Sequence, residues 1–329
     1  MALEAVRWIE AEEALLLDAL LRASVQRVPF VEEPFVRASE AVFGVRFRWL
    51  GYWKGQELKV AVPVFEAHRV LLGRLTRIPP LAAYVPFLLG SELSEALYQK
   101  ACDRLAAFLE DRYGLCHFLL HPTQRDVRPF QWRRWSVEPR YTYWIPLEEG
   151  APEVRWSEST RRAWRRYAGW YTFSPHDPEA WEDMVLLHRL SYRRHGRLPP
   201  LSESAHRELA WRLGGGAQHG VLQIASLRDR EGQVVATIGW IGSAATAYYW
   251  MPGSRREAPQ AMTVLIGYWL EYLLREGWQR VDFVGASTPG PAEFKRRFGG
   301  ELVGYYRIWR YRRPWWALLD RIRQRGRRR

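Results

Sequence analysis

The stretch "AYYWMPGSRREAPQAMTVLIGYWLEYLLREGWQRVDFVGAS", residues 247–287, constrains the fold more than any other. An aromatic run reads as a strand, residues 259–276 read as a helix stopped by Gly277, and "RVDFVGAS" reads as a second strand. A strand, a helix and a strand in one sheet make the two strands parallel through a right-handed crossover. Upstream, "GVLQIASLR" and "QVVATIGWIG" are strands joined by a turn at Asp229–Gly232, an antiparallel pair. The expectation is an α/β chain with mixed sheets, whose ligand lies where antiparallel pairing gives way to parallel pairing.

The first half repeats this order. Residues 10–24 read as a helix, and 45–53 with 58–66 as a hairpin turned at "KGQE". Residues 92–111 carry Leu93, Ala96, Leu97, Ala101, Leu105 and Phe108 at helical spacing, and "CHFLLH" is a short buried strand. "RYTYWIPL", 140–147, opens the second unit, followed by helices at 157–168, 178–194 and 203–214. A short helix at 291–298 stops at Gly299–Gly300, and "LVGYYRIWRYR" is the last strand. A chain of 329 residues suits two domains, here 1–139 and 140–313.

The formal net charge is +13, and residues 307–329 alone hold ten Arg against one Asp. Such a tail suits RNA, anionic lipid or a phosphorylated substrate, or else is a solvated cation. Within it Trp315, Leu318, Leu319 and Ile322 share a helical face. That face either docks on the N-terminal domain (residues 314–329 against 1–139) or makes peripheral membrane contact. Cys102 and Cys116 lack metal-site spacing and read as reduced, buried thiols of a cytoplasmic protein. "MALEAVRWIEAEEALLLDALL" has no basic segment ahead of its apolar run, unlike a secretory leader, and "IPPLAAYVPFLL" is too short to span a bilayer. His117 and His121, four apart on a strand, stand roughly 13 Å apart and share no metal. "RLGGGAQHG" precedes a strand rather than a helix, so it is no phosphate loop.

Of 49 basic residues only four are Lys, and one of them, Lys295, lies in "AEFKRRFGG" between Phe294 and Phe298. With "AYYWMPGS", "AMTVLIGYWLEYLLREGWQRVDFVGAS" and the upstream "RYTYWIPLEEGAPEVRWSESTRRAWRRYAGW", this segment resembles the C-terminal half of FemAB-like proteins of the GNAT acyltransferase superfamily. The resemblance covers about 140–311 and implies tandem GNAT folds. It implies transfer of an acyl group to an amine, with no permanently bound cofactor. The donor would be aminoacyl-tRNA or acyl-CoA. The acceptor would be a peptide or sugar amine, free or carried on a nucleotide or lipid, as in cell-wall precursors.

The same resemblance assigns residues. Lys295 would stabilise charge near the reacting ends, where a compact ammonium suits a point oxyanion better than a planar guanidinium does. Asp282 would orient an amine or pair with Arg, or be a structural hydrogen-bonding carboxylate. Backbone N–H groups between splayed strands 246–251 and 280–285 would meet the donor, with Tyr248, Trp250, Arg255, Arg256 and Phe294 lining it. Arg161, Arg162 and Arg165, with Arg166, form a phosphate clamp for tRNA or a solvated helix face, Trp164 and Trp170 interleaving as stacking rings. GNAT enzymes hold pyrophosphate in a Gln/Arg-x-x-Gly-x-Gly/Ala turn. Here the matching "SRREAPQAM" has no glycine, and Pro259 brings no N–H. Three functions remain: aminoacyl-tRNA-dependent transfer, CoA-dependent N-acyl transfer, and non-catalytic RNA or membrane binding on a GNAT scaffold.

Overall fold

A computed structural model describes residues 3–313 except 71–72, 91–92, 149, 151 and 217–219. The basic tail from 314, with its two expected modes of contact, lies outside the described residues. The chain divides into two compact units. One runs to Val31, takes in Ser39–Pro139 and resumes at Tyr305; the other takes in Glu32–Ala38 and Arg140–Gly304.

In chain order the first unit has β1 (Glu4–Trp8), α1 (Ala14–Ala23), the C-terminal part of α2 (Glu33–Phe43), β2 (Arg46–Lys54), β3 (Glu57–Arg69), β4 (Gly73–Thr76), β5 (Leu88–Leu89), α3 (Glu95–Arg112), β6 (Leu115–Leu119) and α4 (Arg128–Trp132). The second unit follows with most of β7 (Ser136–Pro146), α5 (Glu158–Tyr167), β8 (Thr172–Ser174), α6 (Trp181–Arg194), α7 (Glu203–Arg212), β9 (Gln223–Arg228), β10 (Val234–Ser243), β11 (Thr246–Ser254), α8 (Ala261–Arg275), β12 (Arg280–Asp282) and α9 (Pro289–Arg296). β13 (Glu301–Tyr311) passes from the second unit back to the first.

Each unit is a mixed sheet of the same kind. In the first the order is β1-β2-β3-β4-β6-β13. Its parallel pair among the described residues, β4 with β6, is joined through α3. In the second the order is β7-β12-β11-β10-β9-β8, and its parallel pair, β11 with β12, is joined through α8. The crossover read from the sequence is therefore present, and present twice.

Helix starts follow from side-chain caps. Ser94, Ser157 and Ser202 each accept a backbone N–H from the first turn of α3, α5 and α7. α8 is apolar around most of its surface because it lies inside the second unit. Val264, Ile266 and Trp269 pack on Ile238, Ala247, Tyr249, Val281 and Phe283 of the sheet. Each such large side chain contributes roughly 2 kcal/mol when fully buried. α6 packs against β10 and β11, and α7 lies beside α6.

Candidate functional site

The site begins where β11 and β12 part. Their parallel register covers three residue pairs, Thr246 with Arg280, Ala247 with Val281 and Tyr248 with Asp282. Below this, Arg280 stacks on Trp144 at 4.1 Å and donates to Thr246 Oγ1 at 3.0 Å, closing the base of the pair. Above it β11 runs on to Ser254, while the other chain stays with β7. Phe283 N donates to Tyr143 O at 2.9 Å, and Ala286 N to Tyr141 O at 2.6 Å. β11 also carries a bulge here, because Gly239 pairs with Met251 and Trp240 with Tyr249, leaving Trp250 as the extra residue. A bulge bends a strand and increases its twist, which helps β11 diverge at this level.

Two successive left-handed residues, Val284 (φ +45°) and Gly285 (φ +72°), turn the chain after β12. Glycine adopts this region freely, but a β-branched valine does so at a cost of order 1–3 kcal/mol. The Asp282 carboxylate helps hold the bend. Its Oδ1 accepts Val284 N at 2.8 Å and Thr142 Oγ1 at 2.6 Å, and its Oδ2 accepts Trp144 Nε1 at 2.9 Å. Asp282 is thus a buried, hydrogen-bonded carboxylate that shapes the turn.

The turn presents two carbonyls to Lys295. Its Nζ donates to Val284 O at 2.5 Å and to Gly285 O at 2.7 Å, and stands 5.7 Å from the centroid of the Tyr249 ring. Lys295 therefore bridges the gap, bonded on the β12 side and facing β11. α9 sets this position: Phe298, buried against Trp156 and Phe283, fixes the end of the helix, and Phe294 packs on Phe298 at 5.3 Å. Lys295 is only 8 % exposed, and this burial pulls its pKa down to about 8, with Asp282 acting in the opposite direction. It remains mostly protonated at neutral pH. An ammonium has three N–H bonds, so one is left after the two carbonyls. Burial raises the Tyr249 hydroxyl well above its ordinary value and keeps it a neutral donor.

The other sequence candidates are placed as follows. Tyr248 and Trp250 are buried on β11, Trp250 edge-on to Phe35 at 6.0 Å. Arg255 is engaged: its Nε donates to Val234 O at 2.8 Å, and its guanidinium pairs with Asp183 at 3.7 Å. Arg256 is exposed on the turn into α8. That turn has Gln260 left-handed at φ +55° with no side-chain cap on the helix. Pro259 O accepts the Tyr171 hydroxyl at 2.9 Å.

α5 runs between these two places. At its start Ser157 N donates to Arg297 O at 2.8 Å, just past α9. Beyond its end, Tyr171 reaches the entry to α8. Trp164, read from the sequence as a stacking ring, instead faces inward onto Trp156 and Tyr268, at 5.8 and 4.6 Å. Gly267 of α8 is what admits it, since a Cβ there would strike the indole. Trp170 is the interleaved ring that stays exposed, at 46 %. Arg162, Arg165 and Arg166 are exposed, while Arg161, one turn before Trp164, is half-buried. Arg162 pairs with Glu158 at 3.6 Å, and Arg161 and Arg165 form no ion pair among the described residues.

The sequence reading missed Tyr249, Thr142 and the Val284 and Gly285 carbonyls. Adjacency of Tyr249 to the expected splay was the only available signal for it. Among the described residues no cluster of three or more His, Cys, Asp or Glu side chains could hold a metal ion, and no helix is long and apolar enough to cross a membrane.

Residues 155–296 match the family model for the acetyltransferase (GNAT) domain. No curated protein matches the sequence. Among solved structures the chain is similar to FemX, at 11 % identity and TM-score 0.65, covering 92 % of this chain and 96 % of that one. It is similar to L-PGS from Bacillus licheniformis, at 13 % identity and TM-score 0.54, covering 92 % and 93 %. It is also similar to a tandem GNAT protein from the clavulanic acid biosynthesis pathway, at 12 % identity and TM-score 0.54, covering 95 % and 99 %.

Proposed function

From the premise that this chain is a GNAT-type acyltransferase of FemAB-like, tandem build, we propose that it transfers an aminoacyl group from aminoacyl-tRNA to an amine of a cell-envelope peptide precursor. The observation that carries the reading is the Lys295 ammonium, held across the gap between β11 and β12 with one N–H to spare. The acceptor's neutral amine attacks the donor's ester carbonyl, the C–N bond forms, and charge develops on the carbonyl oxygen. Lys295 donates to that oxygen in a site already shielded from water, where such a contact is worth most. The ester C–O bond then breaks, and the proton lost by the amine goes to the ribose oxygen. Asp282 acts through the turn, as a positioning residue for the two carbonyls that hold Lys295.

The arginine face of α5 supports a phosphate-rich donor. It leads from the α9 end to the entry of α8, about 15 Å for its ten residues, and unpaired guanidinium groups suit phosphodiesters. Acyl-CoA is the second reading, favoured by the start of α8, which has no side-chain cap and whose first-turn N–H groups can donate to a phosphate. Pro259 weakens it by removing one such donor.

A donor screen tests the proposal. Purified protein is given labelled aminoacyl-tRNA or labelled acetyl-CoA with muropeptide and amino-sugar acceptors, and products are identified by mass. Transfer from aminoacyl-tRNA to a peptide amine is expected. Transfer only from acetyl-CoA would replace the donor assignment, and transfer from neither would remove the catalytic reading.

A further inference from the structure

We infer that the outer face of α6, with the loop that follows it, docks on a membrane surface rich in anionic phospholipid. Leu186, Leu190 and Arg193 stand at i, i+4 and i+7 and so form one ridge. Leu186 is 48 % and Leu190 37 % exposed, and Leu198 in the loop is 82 % exposed beside Arg197. Residues 184–202 contain four Arg and no Asp or Glu.

The acidic groups around this face are already neutralised by partners. Glu182, at the start of α6, pairs with Arg207. Asp183 is turned to Arg255 at 3.7 Å, and Glu203 meets Arg189 at 3.5 Å. Arg194 is bonded to Ser254 O. Arg193 and Arg197 form no ion pair among the described residues and are exposed. The result is exposed leucine interleaved with uncompensated arginine. At a bilayer interface leucine enters the boundary between headgroups and acyl chains while arginine meets lipid phosphate. A nucleic acid would use the arginines but give the leucines nothing to bury against. The inference goes beyond acyl transfer and does not depend on it.

Flotation of the full chain with vesicles tests it, using phosphatidylcholine alone or with about one-third phosphatidylglycerol. The wild type is expected to float with the anionic vesicles only, and less as salt rises. Leu186→Ser/Leu190→Ser/Leu198→Ser should weaken binding about tenfold or more while leaving the salt dependence in place. Arg193→Glu/Arg197→Glu should weaken binding and flatten the salt dependence, and it tests the surface even if the triple variant folds poorly. Unchanged melting temperatures would show that the variants are folded. Wild-type protein that ignores anionic vesicles overturns the inference. So does a folded triple-serine variant that floats as well as wild type, since binding would then come from other basic segments such as 314–329. Single-stranded RNA binding that Arg193→Glu/Arg197→Glu loses, with flotation on anionic vesicles unchanged in that variant, would also overturn it, assigning the face to nucleic acid.

Discussion

Replacing Lys295 by Met should leave stability at neutral pH little changed and remove a specific pH dependence. In the folded protein the ammonium's pKa is lowered from 10.5 to about 8. A base with a depressed folded pKa is destabilising while charged. Between pH 8 and 10.5 the unfolded chain keeps this proton and the folded protein releases it, so folding stability rises with pH across that window. The gap of about 2.5 units is worth about 3 kcal/mol. The cysteines act in the opposite sense, because burial pushes the Cys102 thiol up to about 12 and the Cys116 thiol higher still. Subtracting the variant from the wild type cancels their contribution. At pH 7, Lys295→Met relieves the buried charge but orphans the Val284 and Gly285 carbonyls, at about 1–3 kcal/mol each. These effects nearly offset. Urea unfolding of both proteins at several pH values from 7 to 10.5 measures the difference. The wild type should gain about 3 kcal/mol relative to the variant across the range. A difference that stays constant within about 0.5 kcal/mol would refute the claim that this amine is held dehydrated.

Three further outcomes follow from the same contacts. Asp282→Asn weakens the clamp on Val284 N and Thr142. It should cost about 1–3 kcal/mol by denaturant melt and reduce turnover more than it raises KM, with Asp282→Glu restoring neither fully. Gly267→Leu should expel Trp164 and unseat α5, lowering stability by about 1–3 kcal/mol and giving a measurable rise in tryptophan exposure to quencher. Arg161→Glu/Arg165→Glu should raise KM for aminoacyl-tRNA about tenfold or more and flatten its salt dependence, while turnover at saturating tRNA stays near wild type.

The parts of this fold legible in the sequence are those whose apolar period is set by burial. α8 and its flanking strands β11 and β12 could be read because nearly every side chain there faces a core. The hairpin of β2 and β3 was legible from its aromatic and β-branched runs and its turn. β1 was not, because "EAVRW" carries charges and is only half-buried. α2 is not evident from the sequence, because Pro34 and the neighbouring glutamates interrupt its apolar pattern, although Pro is well placed in a helix's first turn. The site divides in the same way. Lys295 was visible because lysine is so scarce in this chain. Its partners were not, because they are backbone carbonyls, and nothing in the letter Val predicts a left-handed Val284. Trp164 and Arg255 show the limit for side chains: sequence gives their chemistry, but only the packing reveals that Gly267 admits one ring and that Asp183 and Val234 engage the guanidinium.

The most direct test of the account is the single-turnover rate of acyl transfer at saturating donor, measured for wild type and Lys295→Met at pH 7. Loss of one preorganised donor to the developing oxyanion predicts a fall of about 10²–10³, in a variant whose stability at that pH is nearly unchanged. A rate within about threefold of wild type, less than 1 kcal/mol in the barrier, would contradict it.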